Sequence, residues 1–224
     1  MSTPEPPSIL LIEATADHGD AAMAYADVAR ELASAHGGRT LIAAPASRAD
    51  VLEAGSPAHA VVAIAFPGRA ALDRFWTSPE HRAAFAERLD GRLAHALALP
   101  GIPEAGLPDQ PIPTRANVTV PDSAGPPAYM LIQGTVRDPG PIEAYMAIIV
   151  PMIIARGGLY LVWTPPEPVS VLAGDWTPRF VVLSRWPSIA EPRDFWYSDR
   201  YQNEAIPTRR DAAAFTVLLF EGQA

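Results

Sequence analysis

Glu13 and Gln133 are the first residues of this chain that invite a chemical reading. Each is a lone polar side chain in an apolar run, Ile9-Leu-Leu-Ile-Glu13-Ala and Tyr129-Met-Leu-Ile-Gln133. A polar group on a strand buried on both faces must find a partner or line a cavity. A carboxylate placed there with a raised pKa can serve as a general base; the plainer alternative is a strand end that reaches solvent. His95 lies among leucines and alanines over 93–99 and is the histidine best placed for a pocket, against the plainer reading of a satisfied core histidine. Arg185 offers a guanidinium fork for a carboxylate or enolate oxygen, against an ordinary ion pair or a surface position. Glu13, His95 and Arg185 are therefore the candidate catalytic residues. Gln133, Tyr25, Tyr145, Trp163, Trp76 and Trp196 are the candidate ligand contacts, weighed against simple core packing of large aromatics.

The elements that must position these residues follow from an internal repeat. Displaced by 120 positions, Leu11-Ile12 falls on Leu131-Ile132, Tyr25 on Tyr145, Gly37-Gly38 on Gly157-Gly158 and Val51-Leu52 on Val171-Leu172. Phe75-Trp76-x-Ser78 falls on Phe195-Trp196-x-Ser198, and Leu99 on Leu219, with no gap anywhere. A fixed offset carrying rare Trp, Tyr and Gly-Gly matches marks a duplication. Each copy reads strand (8–14, 128–136), helix (20–36, 140–156), strand (40–44, 160–164), strand (59–66, 179–186), a broken helical stretch (69–88, 188–205) and strand (93–99, 213–221). The Gly-Gly pairs close the first helices as C-caps. Pro151 should kink or split its helix. Val51-Leu52 and Val171-Leu172 fall in a loop or hairpin.

The order βαββαβ is ferredoxin-like, which makes the fold class α+β. Both helices of such a unit cover one sheet face, yet these strands are apolar on both faces. The other face is buried most simply against its counterpart, giving two repeats that form an intramolecular dimeric α/β-barrel. A homodimer of whole chains could add to this or replace it. Residues 100–127 hold eight of the 25 prolines and read as an extended spacer. The domains are then 1–100 and 128–224, joined by a Pro-rich linker over 101–127.

Composition narrows the function. Of 224 residues, 49% are hydrophobic and 19% charged, as in a globular chain, and the net charge of −8 argues against nucleic acid or an anionic membrane as partner. Cysteine is absent, which excludes disulfides, thiolate metal sites and a cysteine nucleophile. No run reaches membrane-spanning length and no leader is apparent, so the expected location is cytoplasmic. The five histidines, at 18, 36, 59, 81 and 95, all lie in the first copy and show no metal-binding spacing. Phosphate-loop, dinucleotide, zinc-protease and serine-hydrolase motifs are missing. No metal and no cofactor are expected.

Ala128-Tyr-Met-Leu-Ile, Asp138-Pro139, Tyr145, Gly157-Gly158-Leu-Tyr-Leu, Val171-Leu172-x-Gly174-x-Trp176, Trp186-Pro187-Ser188, Phe195-Trp-Tyr-Ser198-x-x-Tyr201-Gln202 and Arg209 together resemble the family known as domain of unknown function 1330. The first copy matches more loosely, through Gly37-Gly38, Val51-Leu52-Glu53 and Phe75-Trp-Thr-Ser-Pro-Glu80. The resemblance implies the dimeric α/β-barrel superfamily, whose members include cofactor-free monooxygenases, isomerases, polyketide cyclases, haem-degrading enzymes and stress-response binding proteins, typically with a pocket between sheet and helices. Two departures stand out. The arginine usual after the Gly-Gly strand is absent from Val162-Trp163-Thr164 and Ile42-Ala43-Ala44, and the usual acid before the aromatic-Pro pair is Arg185 in one copy and Ala65 in the other. The expected function is a cofactor-independent enzyme, isomerase, cyclase or monooxygenase-like, acting on a small apolar, aromatic or polyketide-like ligand. The alternative is a non-catalytic ligand-binding, structural or stress-response protein.

Overall fold

The computed structural model describes residues 5–15, 18–53, 60–107, 112–122 and 125–223. The first repeat runs β1 (Ser8–Ala14), α1 (Gly19–Ser34), β2 (Arg39–Pro45), β3 (Asp50–Glu53), β4 (Ala60–Phe66), α2 (Arg69–Thr77), α3 (Pro79–Leu89) and β5 (Leu93–Pro100). The second runs β6 (Ala128–Val136), α4 (Pro139–Ala155), β7 (Leu159–Thr164), β8 (Ser170–Gly174), β9 (Phe180–Trp186), α5 (Ala190–Trp196), a π-helical turn (Tyr201–Ala205), α6 (Ile206–Arg209) and β10 (Ala213–Glu221). His59, expected to open the fourth strand, lies outside the described residues.

Two antiparallel five-stranded sheets result, ordered β2-β4-β1-β5-β8 and β3-β10-β6-β9-β7. The stretches expected as loops or hairpins at Val51-Leu52 and Val171-Leu172 are strands, and each crosses to the other repeat's sheet. β3 pairs with β10 and β8 pairs with β5. The chain after each last strand also crosses: the Ile102 N–H donates to the Leu161 carbonyl and that of Gln223 to Leu41, at 2.9 and 3.2 Å. These exchanges bind the repeats into one barrel.

Strand alternation divides the core into three layers. Ile9, Leu11, Leu97 and Leu99 meet Tyr129, Leu131, Leu183 and Phe220 between the sheets. Leu10 and Ile12 turn to the helices of the first repeat, Met130 and Ile132 to those of the second. The Gly-Gly pairs cap α1 and α4 as expected. Gly37 and Gly157 take positive φ, and a Cβ on Gly38 or Gly158 would strike Phe66 or Trp186.

The gapless repeat does not survive to the last strands. Ile12 stands opposite Ala96, but its equivalent Ile132 stands opposite Val217, so β5 and β10 are related by 121 positions. The extra residue enters at the π-helical turn, where α3 runs as a regular helix. Buried His81 and Ala84 are matched there by Tyr201 and Ala205. At 121 positions Arg88 falls on Arg209 and Asp90 on Asp211. His95 therefore corresponds to Thr216, not to Phe215. A bulge in β5 lets Glu13 pair with His95 and Ala14 with Leu93, and His95 shares the intersheet face with Leu97 and Leu99.

α4 continues through Pro151, which does not split it. Pro151 and Ala147, the residue whose carbonyl loses its donor, are both exposed, so water can satisfy that carbonyl. The Pro-rich segment has no regular element among its described residues, yet it is docked. Ile102 and Ile112 are buried against the second repeat, and the Tyr160 N–H donates to the Pro113 carbonyl at 2.8 Å. Pro151→Ala restores the helical donor and should raise stability by about 1–3 kcal/mol, read as a higher midpoint in urea unfolding; an unchanged or lower midpoint contradicts this account.

Candidate functional site

Two of the three expected catalytic residues meet, but inside the barrel. Gln133 donates from Nε2 to Glu13 Oε1 at 2.7 Å, and His95 Nε2 lies 2.6 Å from Glu13 Oε2, out of line with its N–H direction. All three are buried between the sheets. Glu13 and Gln133 are equivalent positions, so they touch across the pseudo-two-fold relation of the repeats. Two carboxylates at that separation would repel strongly in a low-dielectric core, whereas an amide and a carboxylate attract. Gln133 also borders a shallow depression of about 320 Å³ at the barrel end, beside Thr177 and Arg179. Arg185 does not join this cluster. It stands opposite Tyr129 on β6, four residues and roughly 13 Å along the strand from Gln133.

An apolar cavity of about 110 Å³ lies elsewhere, between α4 and the sheet of the second repeat, walled chiefly by Tyr145, Met146, Tyr160, Trp163, Phe180 and Phe215. Side-chain size explains its position. α1 buries Ala22, Ala26, Ala29 and Ala33 and seats its backbone directly on β2 and β4. α4 presents Ile142, Met146 and Ile149 instead and stands farther from its sheet. The wall residues Tyr160, Trp163 and Phe180 correspond to Thr40, Ala43 and Ala60. Trp163 packs with its ring centroid 5.1 Å from Tyr160 and 4.9 Å from Phe180.

A buried polar network adjoins this cavity. The hydroxyls of Tyr145 and Tyr201 are 3.1 Å apart, and Arg209 Nη2 donates to the Tyr201 oxygen at 3.5 Å. Arg209 grips Glu53 through both terminal nitrogens, Nη1 at 3.1 Å to Oε1 and Nη2 to Oε2. Glu53 belongs to β3, so the first repeat completes the second repeat's site. The guanidinium also lies over the rings of Tyr145 and Phe215, 5.4 and 4.9 Å from their centroids. Burial opposes the charge of Arg209, but the Glu53 carboxylate and the two phenols outweigh it and raise its pKa. Burial raises both phenols, with Arg209 opposing, so they stay protonated.

The first repeat carries a different version. Tyr25 donates to His81 Nε2 at 2.9 Å, while His81 Nδ1 donates to the Trp76 carbonyl at 3.0 Å. Burial lowers the His81 pKa to about 4, keeping the ring neutral. Glu53 corresponds to Ala173, so no carboxylate waits on β8, and Arg88 turns outward to Glu87. Trp76 and Trp196 stack at 4.7 and 4.8 Å from His81 and Tyr201 and form backing walls. The structure thus places Tyr145 and Trp163 on the cavity, Tyr25 in the first repeat's polar pair, and Gln133 in the barrel.

Reasoning from residue types missed the connected Glu53, Arg209 and Tyr201, the cavity residue Tyr160, and His81 of the first repeat's separate pair. Tyr201 and Arg209 were visible only as motif residues, and the alignment of His81 with Tyr201 was the available signal. Among the described residues no group of three or more histidines and acids could hold a metal ion. No described helix is long and apolar enough to cross a membrane.

The family described as domain of unknown function DUF1330 matches residues 9–102 and again residues 127–223. The chain belongs to the DUF1330 family. As a member carrying the domain twice, it is similar along its whole length to solved structures of the dimeric α/β-barrel type. A candidate monooxygenase from Fusobacterium nucleatum covers 100% of this chain and 94% of its own, with 10% identity and a TM-score of 0.56. An anthrone oxidase-like protein covers 98% and 92%, with 10% identity and a TM-score of 0.51. At these identities the likeness is one of fold. Among curated proteins no match to this DUF1330 chain is found.

Two predictions test the networks. The folded pKa of His81, about 4, lies below its ordinary 6.5. The unfolded chain therefore takes up the proton first, and stability present above pH 6.5 is lost as pH falls toward 4, by at most about 3 kcal/mol. His81→Tyr, which copies the second repeat, should flatten the profile in urea unfolding between those pH values; an equally steep loss refutes the assignment. Glu53→Ala leaves Arg209 buried without its partner and should cost about 3 kcal/mol. Adding Arg209→Leu should recover most of that loss, and additive losses in the double variant contradict the pairing.

Proposed function

We propose that this DUF1330 protein binds one small, largely apolar molecule, about one aromatic ring in size, beneath α4 of the second repeat. The first repeat contributes Glu53, which holds Arg209 in the polar network beside the cavity. The observation that carries this reading is the cavity of about 110 Å³ walled by aromatic side chains. An engineered apolar cavity of about 150 Å³ holds benzene, so a single ring is the right scale and a fused polyketide is not. The aromatic wall supplies dispersion contacts and edge-to-face packing for such a ring.

A second reading is a cofactor-independent enzyme of the isomerase or cyclase type. Its support is the pair of protonated phenols backed by the Arg209 charge, an arrangement that stabilises a developing oxyanion. The cavity wall holds no carboxylate or histidine. A substrate would have to enolise readily, since the Glu13–His95 pair is engaged inside the barrel. Oxygenation of a substrate carbanion would need the same proton removal, so the lack of a base at the wall weighs on it as it does on isomerisation.

Toluene serves as a one-ring probe, followed by saturation-transfer NMR and calorimetry. Saturable binding of one toluene per chain is expected, and Ile149→Phe, which fills the cavity, should abolish it without changing the circular dichroism. Toluene that does not bind, or that binds Ile149→Phe equally well, rejects this site.

A further inference from the structure

Hydrogen-bond direction in the Glu53–Arg209–Tyr201–Tyr145 network specifies more about the ligand than the cavity volume does. Resting on the binding reading above, we infer that the ligand carries a carbonyl-type or phenolate-type oxygen that accepts a hydrogen bond from Tyr145.

A guanidinium only donates. Arg209 donates to the two Glu53 oxygens and to the Tyr201 oxygen. Tyr201 is 1% exposed and does not line the cavity, so its own proton needs an acceptor nearby. The Tyr145 oxygen, 3.1 Å away, is that acceptor. The donor direction thus runs from Arg209 through Tyr201 to Tyr145. The Tyr145 proton is left over, and among the described residues no acceptor receives it.

Tyr145 is the member of this network whose ring lines the cavity. A ligand oxygen there closes the chain of donors. Burial holds Tyr145 in its protonated, donating form. Arg209 Nε, also buried without an acceptor among the described residues, makes the cluster rich in donors and short of acceptors. Each donor in this line polarises the next, and Glu53 holds the guanidinium that begins it, so the Tyr145 proton is offered to a strongly accepting oxygen. Tyr145 is then the residue that selects the ligand, and Arg209 and Glu53 are positioning residues acting through Tyr201.

Benzaldehyde and toluene have nearly the same shape, and only benzaldehyde offers an acceptor oxygen. The chain has no lysine whose amine could condense with the aldehyde. Calorimetry with both probes should show benzaldehyde binding roughly tenfold more tightly. Tyr145→Phe should erase that preference while leaving toluene affinity within about twofold, which also shows that the cavity has stayed intact. Glu53→Gln should reduce the preference without abolishing toluene binding. A purely structural role for Tyr145 would weaken both probes alike and overturn the inference. Equal affinity of the unmodified protein for the two probes also overturns it, with the binding reading left standing. If neither probe binds, both readings fall.

Discussion

The structure depends on burying the second face of each sheet. A single βαββαβ unit covers one face with helices and leaves the other apolar and wet, which no isolated unit of this composition tolerates. Here Ile9, Leu11, Leu97 and Leu99 of one repeat close against Tyr129, Leu131, Leu183 and Phe220 of the other. Once the sheets are face to face, their outer strands come within reach of the partner repeat. β3 and β8 exchange sheets, and the segments after β5 and β10 hydrogen-bond across to β7 and β2. The exchange covers the long edges of β5 and β10 with the short strands β8 and β3, which offer less edge to template aggregation. The same exchange delivers Glu53 to Arg209, so the candidate site is a consequence of how the barrel closes.

Placing both repeats in one chain removes the requirement that equivalent positions be identical. Glu13 and Gln133 show what this permits. They meet where symmetry would set two like residues together, and a carboxylate against an amide needs no shared proton. The helix layers diverge further. A face of alanines on α1 admits close approach to the sheet, and bulky residues on α4 and its strands prevent it. The cavity is what remains when large side chains meet around a helix that cannot settle. One repeat thereby keeps a compact supporting role, and the other carries the open volume.

Much of the fold was legible from residue spacing. The offset of 120 positions, the Gly-Gly caps and the alternating strands specified two ferredoxin-like units and their mutual burial. The exchanged strands were not legible, because four or five residues such as Asp50–Glu53 carry too little pattern to separate a strand from a hairpin. The slip to 121 positions left only a faint mark, the matches of Arg88 with Arg209 and Asp90 with Asp211. A one-residue insertion absorbed by a π-helical turn leaves the helical pattern around it intact, yet it moves the assignment of every residue after it. At a uniform offset of 120 positions His95 would fall on Phe215, whereas the strand register sets it at the place of Thr216. Glu13 and Gln133 were expected to find a partner, line a cavity or reach solvent at a strand end; that they would satisfy each other required knowing that the repeats face one another.

The contrast between the two polar networks bears on why only one was retained with a charge. Tyr25 and His81 form a neutral pair that ends on the Trp76 carbonyl, so every donor finds an acceptor within the protein. Such a network is complete and stabilises its repeat. In the second repeat a buried ion pair replaces the neutral end, at a desolvation cost that apolar residues would avoid. The donors it sets in line end on a hydroxyl beside a cavity, with one proton in excess. A network that is both costly and incomplete gains nothing for the fold alone. Its geometry is accounted for when the missing acceptor is supplied from outside the chain.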